Sequence, residues 1–192
     1  MAALQAYEAL VARWNPAINL VGKATLPLFW QRHITDSAQL MRFCPAEAES
    51  WVDLGSGGGL PGLVIAVLAM ELRPQLRVTL VEADARKATF LRQAGLALGL
   101  EVEVLCERIE ALSPRRADVL SARALASLRA LIGYAGAHLA ENGIAIFPKG
   151  ARHAEEIADA KAEWAFDVDT QPSMSDSEAS ILLIRNIQRA HA

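Results

Sequence analysis

From Trp51 onward the chain alternates short apolar runs with stretches of helical periodicity, and that rhythm leaves few folds open. The runs are SWVDLG, RVTLVE, EVEVLCE, ADVLSA and GIAIFPKG, with two late ones around FDVDT and ILLIRN. Between them the spacing predicts helices from Leu63, from Ala85 to Leu98, near Leu125 to Leu139, and after Arg152. Strands joined by crossover helices build a mainly parallel sheet with helices on both faces. Only the polar turn PSMSDSE separates the last two runs, which predicts an antiparallel hairpin at the sheet edge. The expected architecture is therefore α/β, with a mostly parallel seven-stranded sheet. Ahead of it, residues 1–45 read as a helical cap. AALQAYEALVARW has helical spacing and should end at Asn15-Pro16, because proline disfavours helix in the residue before it. A second helix is expected over LPLFWQRHITDSAQLMRF. A length of 192 residues fits one domain spanning 1–192, the cap included.

Open parallel sheets bind ligands beyond the carboxyl ends of their strands, where strand order reverses. The loop DLGSGGGLPG, Asp53 to Gly62, lies at the first such turn. Its glycines allow positive φ and a close backbone approach to a ligand. Contacts are expected from Gly55, Ser56, Gly57 and Gly59. Two cofactor classes fit. Gly57, Gly59 and Gly62 match G-x-G-x-x-G, so a dinucleotide pyrophosphate can rest at the start of the following helix. Asp53 argues against it: unit charges about 6 Å apart at an effective dielectric of about 20 repel by roughly 3 kcal/mol. S-adenosylmethionine, with sulfonium and ammonium groups, turns the same carboxylate into an attraction. Asp53, Gly55, Gly57 and Gly59 also resemble the D-x-G-x-G-x-G motif of class I methyltransferases. The alternative is that Asp53 only ties down loop N–H groups. Glu82, closing RVTLVE, can accept ribose hydroxyls of any adenosine cofactor. Ile109 and Glu110 in RIEAL stand where an adenine edge and face could be held; by themselves they read rather as loop packing and a solvated acid.

The charge balance, 19 Lys+Arg against 22 Asp+Glu, gives a net −3. Any nucleic-acid contact must then be a local basic patch. Cys44 and Cys106 form no metal spacing, so no metal site is expected. GLVIAVLAM is too short for a membrane span, and the start of the chain lacks a secretory apolar segment, so a cytoplasmic, membrane-free protein is expected.

RHITDS, DLGSGGGLPG, LVEADARKATFL, ERIEAL, SARALASL and FPKG stand in the order and spacing of the glucose-inhibited division protein B family, which this chain resembles from about Asn19 to Gly150. These are bacterial 16S rRNA guanine-N7 methyltransferases. The resemblance implies a class I methyltransferase fold, S-adenosylmethionine as donor, and a guanine near the decoding centre as acceptor. The implied partner is 16S rRNA or a small-subunit precursor; no sequence feature demands a dimer, so a monomer is expected. It also implies that Gly55 and Leu60 meet the methionine side of the cofactor, that Ile109 and Glu110 meet the adenine, and that Arg123 faces cofactor and substrate. The chain departs from the common S-R-A-F wording, with Ala122 between Ser121 and Arg123 and Leu125 in the aromatic place. The final 40 residues match only in type, supporting the fold rather than the site.

Guanine N7 has a free lone pair and loses no proton on methylation, so the reaction needs no general base. Alignment is most of the task and can be worth about 7–11 kcal/mol. Consistent with this, there is no N-P-P-Y motif. Neither cysteine suits a pyrimidine nucleophile, Cys44 preceding a proline and Cys106 sitting in an apolar strand. Asp36, which can face the positive charge of the product base, and Arg123 are the catalytic candidates. If RHITDS is helical, Arg32, Asp36 and Gln39 share a face. Arg32 and His33 can then meet RNA while Asp36 and Ser37 wall the site; alternatively Arg32 pairs with Asp36 and merely anchors the cap. Lys149, following GIAIFP, is expected to contact RNA, and with Arg115, Arg116, Arg123, Arg129, Arg152 and His153 it could form a positive rim, although Arg115-Arg116 after Pro114 reads more readily as a solvated loop. Phe29, Trp30 and Phe147 are the stacking candidates, and each reads first as a core residue. Two further readings stay open: an NAD(P)-dependent oxidoreductase, which lacks a hydride-handling residue, and a catalytically silent RNA-binding protein, which the intact motifs oppose.

Overall fold

The computed structural model describes residues 1–190. Seven strands form one sheet in the order β3-β2-β1-β4-β5-β7-β6. They are β1 (Ser50–Leu54), β2 (Arg77–Val81), β3 (Val102–Leu105), β4 (Ala117–Ala122), β5 (Leu139–Lys149), β6 (Trp164–Pro172) and β7 (Ser180–Arg189). The first five pair in parallel, while β7 runs antiparallel to both β5 and β6. The expected hairpin is present, with its second strand inside and its first at the edge. Strand order reverses between β1 and β4, so the loops after these two strands flank the switch point.

Alternation along the strands sends side chains to two cores. Trp51, Leu80, Val119 and Ile146 face α1 (Ala2–Ile18), α3 (Gly62–Leu72) and α4 (Ala85–Ala97). Val52, Val81, Leu120 and Phe147 face α5 (Leu128–His138) and α6 (His153–Lys161). Because β1 alternates, Asp53 points to the α3 side with Trp51, beneath the glycine loop rather than into open space.

The cap departs from its expected form in two places. α1 runs through Pro16 instead of stopping before it. A proline so near a helix's carboxyl end removes only one backbone bond, and Asn15 closes the end. Its carbonyl accepts from Asn19 N at 2.9 Å and its side chain from Val21 N at 2.8 Å. The expected second helix is broken: a 3₁₀ segment at Lys23–Leu28 containing Pro27, a π-helical turn at Trp30–Thr35, α2 (Asp36–Ala38) and a 3₁₀ turn at Gln39–Phe43. The wide π turn puts both His33 and Ile34 inside. Tyr7 on α1 is fully buried and donates to Gly58 O at 2.5 Å, tying the cap to the glycine loop.

α3 begins where there is no room for a side chain. A Cβ on Gly62 would stand 2.2 Å from Leu80 Cδ2 and 2.8 Å from Asp53 Oδ2. Gly62→Ala should therefore destabilise the fold by about 1–3 kcal/mol in denaturant unfolding. Gly150→Ala, with nothing within 4 Å of its Cβ, should leave the midpoint unchanged. Equal midpoints for the two variants would refute the packing account.

Candidate active site

Two cavities open at the switch point. The first, about 520 Å³, lies over the glycine loop, and the second, about 1330 Å³, lies between the cap and the β5–α6 side. Leu20, Arg123, Ala124 and Leu125 line both, so the turn after β4 is their common wall. Ala124 holds that turn with φ 51°, a left-handed conformation that non-glycine residues adopt at a cost. Leu125 folds back over Gly55, where a Cβ would meet its Cδ1 at 2.5 Å.

Gly55, Ser56, Gly57, Leu60, Glu82, Ile109, Glu110 and Arg123 all line the first cavity. Gly57 takes φ 54° and has only Gly55 O, at 3.8 Å, near its Cβ position, so its face toward the cavity is open. Ser56 donates to Asp53 O at 2.9 Å and pins the turn to β1. Glu82 accepts from Gly57 N and from Asp84 N, both at 2.8 Å, so its carboxylate joins two loops at the cavity wall. Glu110 accepts from Tyr134 Oη at 2.6 Å, which holds its carboxyl below the usual range. The size falls within the range of small-molecule sites.

Two of the expected cofactor contacts lie elsewhere. Asp53 does not reach the cavity: it is fully buried and accepts from Ser121 Oγ at 2.7 Å and Gly62 N at 3.1 Å. Burial pushes its carboxyl up to about 6 despite these donors. The alternating register of β1 is the reason, and the carboxylate serves the loop from below, as the N–H-tying alternative has it. Gly59 is also absent from the wall; its φ of 91° and the 2.4 Å from its Cβ position to Leu63 Cδ1 make it a packing glycine.

Arg32, His33, Asp36, Arg123 and Lys149 line the second cavity. Arg123 Nη1 donates to Asp36 Oδ2 and to Arg32 O, each at 3.2 Å, and Nη2 donates to His33 Nδ1 at 3.1 Å. The Arg32–Asp36 pairing does not form. Arg32 bonds Asp176 at 3.1 Å instead, because Asp36 is turned inward to Arg123. Since an arginine only donates, His33 Nδ1 accepts and Nε2 carries the proton, which it gives to Thr25 Oγ1 at 2.8 Å; Thr25 in turn donates to Gly22 O. Burial, then the Arg123 charge, pushes the His33 ring down to about 4.

Several expected RNA contacts are corrected. Ser37 is fully buried and lies away from the cavity. Lys149 is no free rim cation: Nζ bonds Glu156 at 2.7 Å and Ala126 O at 3.2 Å, and Glu156 also caps Leu128 N. Arg115 and Arg116 precede β4 and so sit at the opposite end of the sheet, Arg115 on Glu103; Arg129 pairs with Glu163. Phe29 and Phe147 are buried and Trp30 bonds Glu8, so none of the stacking candidates reaches either cavity. Cys106 lies just past β3 and is exposed. Missed from the sequence was the tip of the β6–β7 hairpin, where Ser175, Asp176 and Ala179 reach the second cavity. The dense hydroxyl and acid pattern of PSMSDSE was the available signal. Among the described residues, no cluster of three metal-ligating side chains forms, and no helix is long and apolar enough to cross a membrane.

The family model described as rRNA small subunit methyltransferase G matches residues 1–185. Ribosomal RNA small subunit methyltransferase G of Cereibacter sphaeroides is 49% identical over 182 residues, covering 95% of this chain and 88% of that protein. The protein of the same name from Ruegeria pomeroyi is 47% identical over 186 residues, covering 97% and 91%. Among solved structures, a TehB-like SAM-dependent methyltransferase from Corynebacterium glutamicum superposes with a TM-score of 0.62 at 14% identity, covering 95% of this chain and 99% of that one. A mutant of MtNAS in complex with S-adenosylmethionine gives 0.61 at 18% identity, covering 96% and 71%. The fold is the class I methyltransferase fold.

The His33 ring should titrate near pH 4 by NMR, and Arg123→Ala should move the midpoint upward by removing a lowering charge. With a folded value below the ordinary 6.5, His33 contributes stability that is present above pH 6.5 and lost as pH falls toward 4. A midpoint near 6.5 in the unaltered protein would contradict the buried, arginine-bonded ring.

Proposed function

The chain belongs to the rRNA small subunit methyltransferase G family, and from that premise we propose that it methylates N7 of a guanine in 16S rRNA, near the decoding centre. Support comes chiefly from one arrangement: two cavities meeting at the Leu20 and Arg123–Leu125 wall, one suited to a nucleoside cofactor and the other open to a base.

The residues present fit S-adenosylmethionine. Gly57 leaves room for the methionine portion, Glu82 offers carboxylate lone pairs to ribose hydroxyls, and Ile109 with Leu60 gives apolar walls. When bound, the cofactor supplies a methyl group made electrophilic by its sulfonium. The chain's part is to bind, orient and exclude water. Glu82 does not by itself separate this cofactor from the dinucleotide alternative, since an acid at this strand end can accept ribose hydroxyls of either; its bond from Gly57 N–H fixes the glycine turn.

The acceptor side suits a reaction without a base. Asp36 and Arg123 satisfy each other, and both nitrogens of neutral His33 are engaged, so none of the three is poised to take a proton. What the cluster offers is orientation, with Asp36 also a negative charge near a base that becomes cationic. The second cavity carries Arg32, Arg123, Lys149 and Arg152 against Asp36, Glu155, Glu156, Asp159 and Asp176, so it is not a phosphate groove. It fits an extruded base with part of its nucleotide, as expected for RNA read in single-stranded loops.

Calorimetry should show S-adenosylmethionine binding and no NAD binding. Gly57→Val should weaken that binding about tenfold or more, since valine resists the positive φ of this turn and its side chain enters the cofactor space. Deleting the gene should remove one N7-methylguanine from 16S rRNA, read by borohydride–aniline cleavage. An unchanged cleavage pattern contradicts the proposed reaction.

A further inference from the structure

The final hairpin brings its polar tip into the second cavity. Between β6 and β7, residues 173–179 reach across to α2 and the turn after it. Ser175 Oγ donates to Asp36 Oδ1 at 2.7 Å across a separation of 139 residues. Gln39, buried beside them, accepts from Met174 N at 2.7 Å through Oε1. Its Nε2 donates to Asp36 Oδ1 at 3.2 Å and to Ser173 Oγ at 3.1 Å. The other oxygen of Asp36 receives Arg123. Arg32 clamps the far side of the tip through Asp176.

We infer that Ser175, with Gln39, is a positioning residue for methyl transfer: it fixes the Asp36 carboxylate and through it the Arg123 guanidinium at the wall between the two cavities. This rests on the reaction proposed above. The reasoning is geometric. A carboxylate on a short side chain rotates about two bonds, and Arg123 holds only one of its oxygens. Without the Ser175 hydroxyl, the second oxygen keeps only the long contact from Gln39, and Asp36 is free to turn away. Arg123 would then hold the common wall with His33 and Arg32 O alone. Displacements of about 1 Å in a site that works by alignment cost up to about a hundredfold in rate. Ser175, Gln39 and Asp36 do not line the cavity over the glycine loop, and Arg123 reaches it only at the shared wall, so the loss should fall on transfer more than on cofactor binding. The second cavity's wall thus comes from three distant parts of the chain, and the hairpin tip completes it.

The test compares Ser175→Ala, Ser175→Thr and a neighbouring control, Ser177→Ala, an exposed tip serine that makes none of these bonds. Methylation of 16S rRNA from a strain lacking the modification gives kcat and KM; calorimetry gives cofactor affinity; NMR exchange of the Arg123 guanidinium protons reads the pair directly in the free protein. Ser175→Ala should lower kcat about tenfold, leave cofactor Kd within about twofold, and speed Arg123 proton exchange. Ser175→Thr should restore the rate, and Ser177→Ala should match the unaltered chain. Unchanged kcat and exchange in Ser175→Ala overturn the inference. So does a loss that appears equally in Ser177→Ala, or one that falls alike on stability and cofactor affinity and that threonine fails to restore. If the unaltered protein binds S-adenosylmethionine yet methylates no 16S rRNA, the proposed reaction fails, while Arg123 exchange still decides the role of Ser175.

Discussion

The Arg123 guanidinium is where the separate parts of this molecule are made into one site. It leaves the sheet just past β4, at the reversal of strand order, and spends its donors on Asp36, His33 and a backbone carbonyl of the cap. Both members of the Arg123–Asp36 pair have side chains only 18% exposed, so removing either leaves a poorly hydrated charge, a loss of roughly 1–3 kcal/mol. The π turn of the cap follows from the same constraint. The wider turn carries His33 and Ile34 inward, and at its end Asp36 and His33 both reach Arg123.

The glycine loop is held in a different way, by two acids that serve backbone donors. Asp53 works from beneath through Gly62 N and Ser121; Glu82 works from the side through Gly57 N and Asp84 N. The carboxylate that faces the cavity is therefore that of Glu82, and not that of Asp53, which the pleat of β1 turns away. Burying an ionisable carboxyl is costly, and the raised Asp53 value records that cost. Its two hydrogen bonds across β4 and α3 are what the fold receives in return, a loop backbone that does not need the ligand to hold its shape.

Short-range pattern explains how much of this was legible in the sequence. The strand–helix rhythm from Trp51 gives the seven strands because each is a short, largely apolar run set between stretches of helical spacing, and neither signal depends on distant residues. Gly55, Ser56, Gly57, Leu60 and Glu82 line one cavity because a turn and a neighbouring strand end keep them together. Asp53 was misread within the same motif, since spacing does not say which side of a strand a residue faces until the register is known. The second cavity was the least legible part. Ser175 and Asp36 meet only after the hairpin folds back over the cap, and Lys149 reads as a free cation until Glu156 arrives from the next helix. Pro16 misled for a related reason, since tertiary packing and side-chain caps such as Asn15 outweigh the local preference, whereas at Pro27 the chain follows that preference and the continuous helix is broken.

The central claim is that the turn carrying Arg123, Ala124 and Leu125 is the boundary across which the methyl group passes. A crystal structure of the complex with S-adenosylhomocysteine and a guanine-containing RNA fragment tests it most directly. The account predicts the cofactor sulfur in the Gly57–Glu82 cavity and an unstacked guanine in the cavity beside His33 and Asp36, with N7 directed at that sulfur past Leu20 and Leu125. A guanine bound elsewhere, or a cofactor lying outside the Gly57–Glu82 cavity, would contradict it.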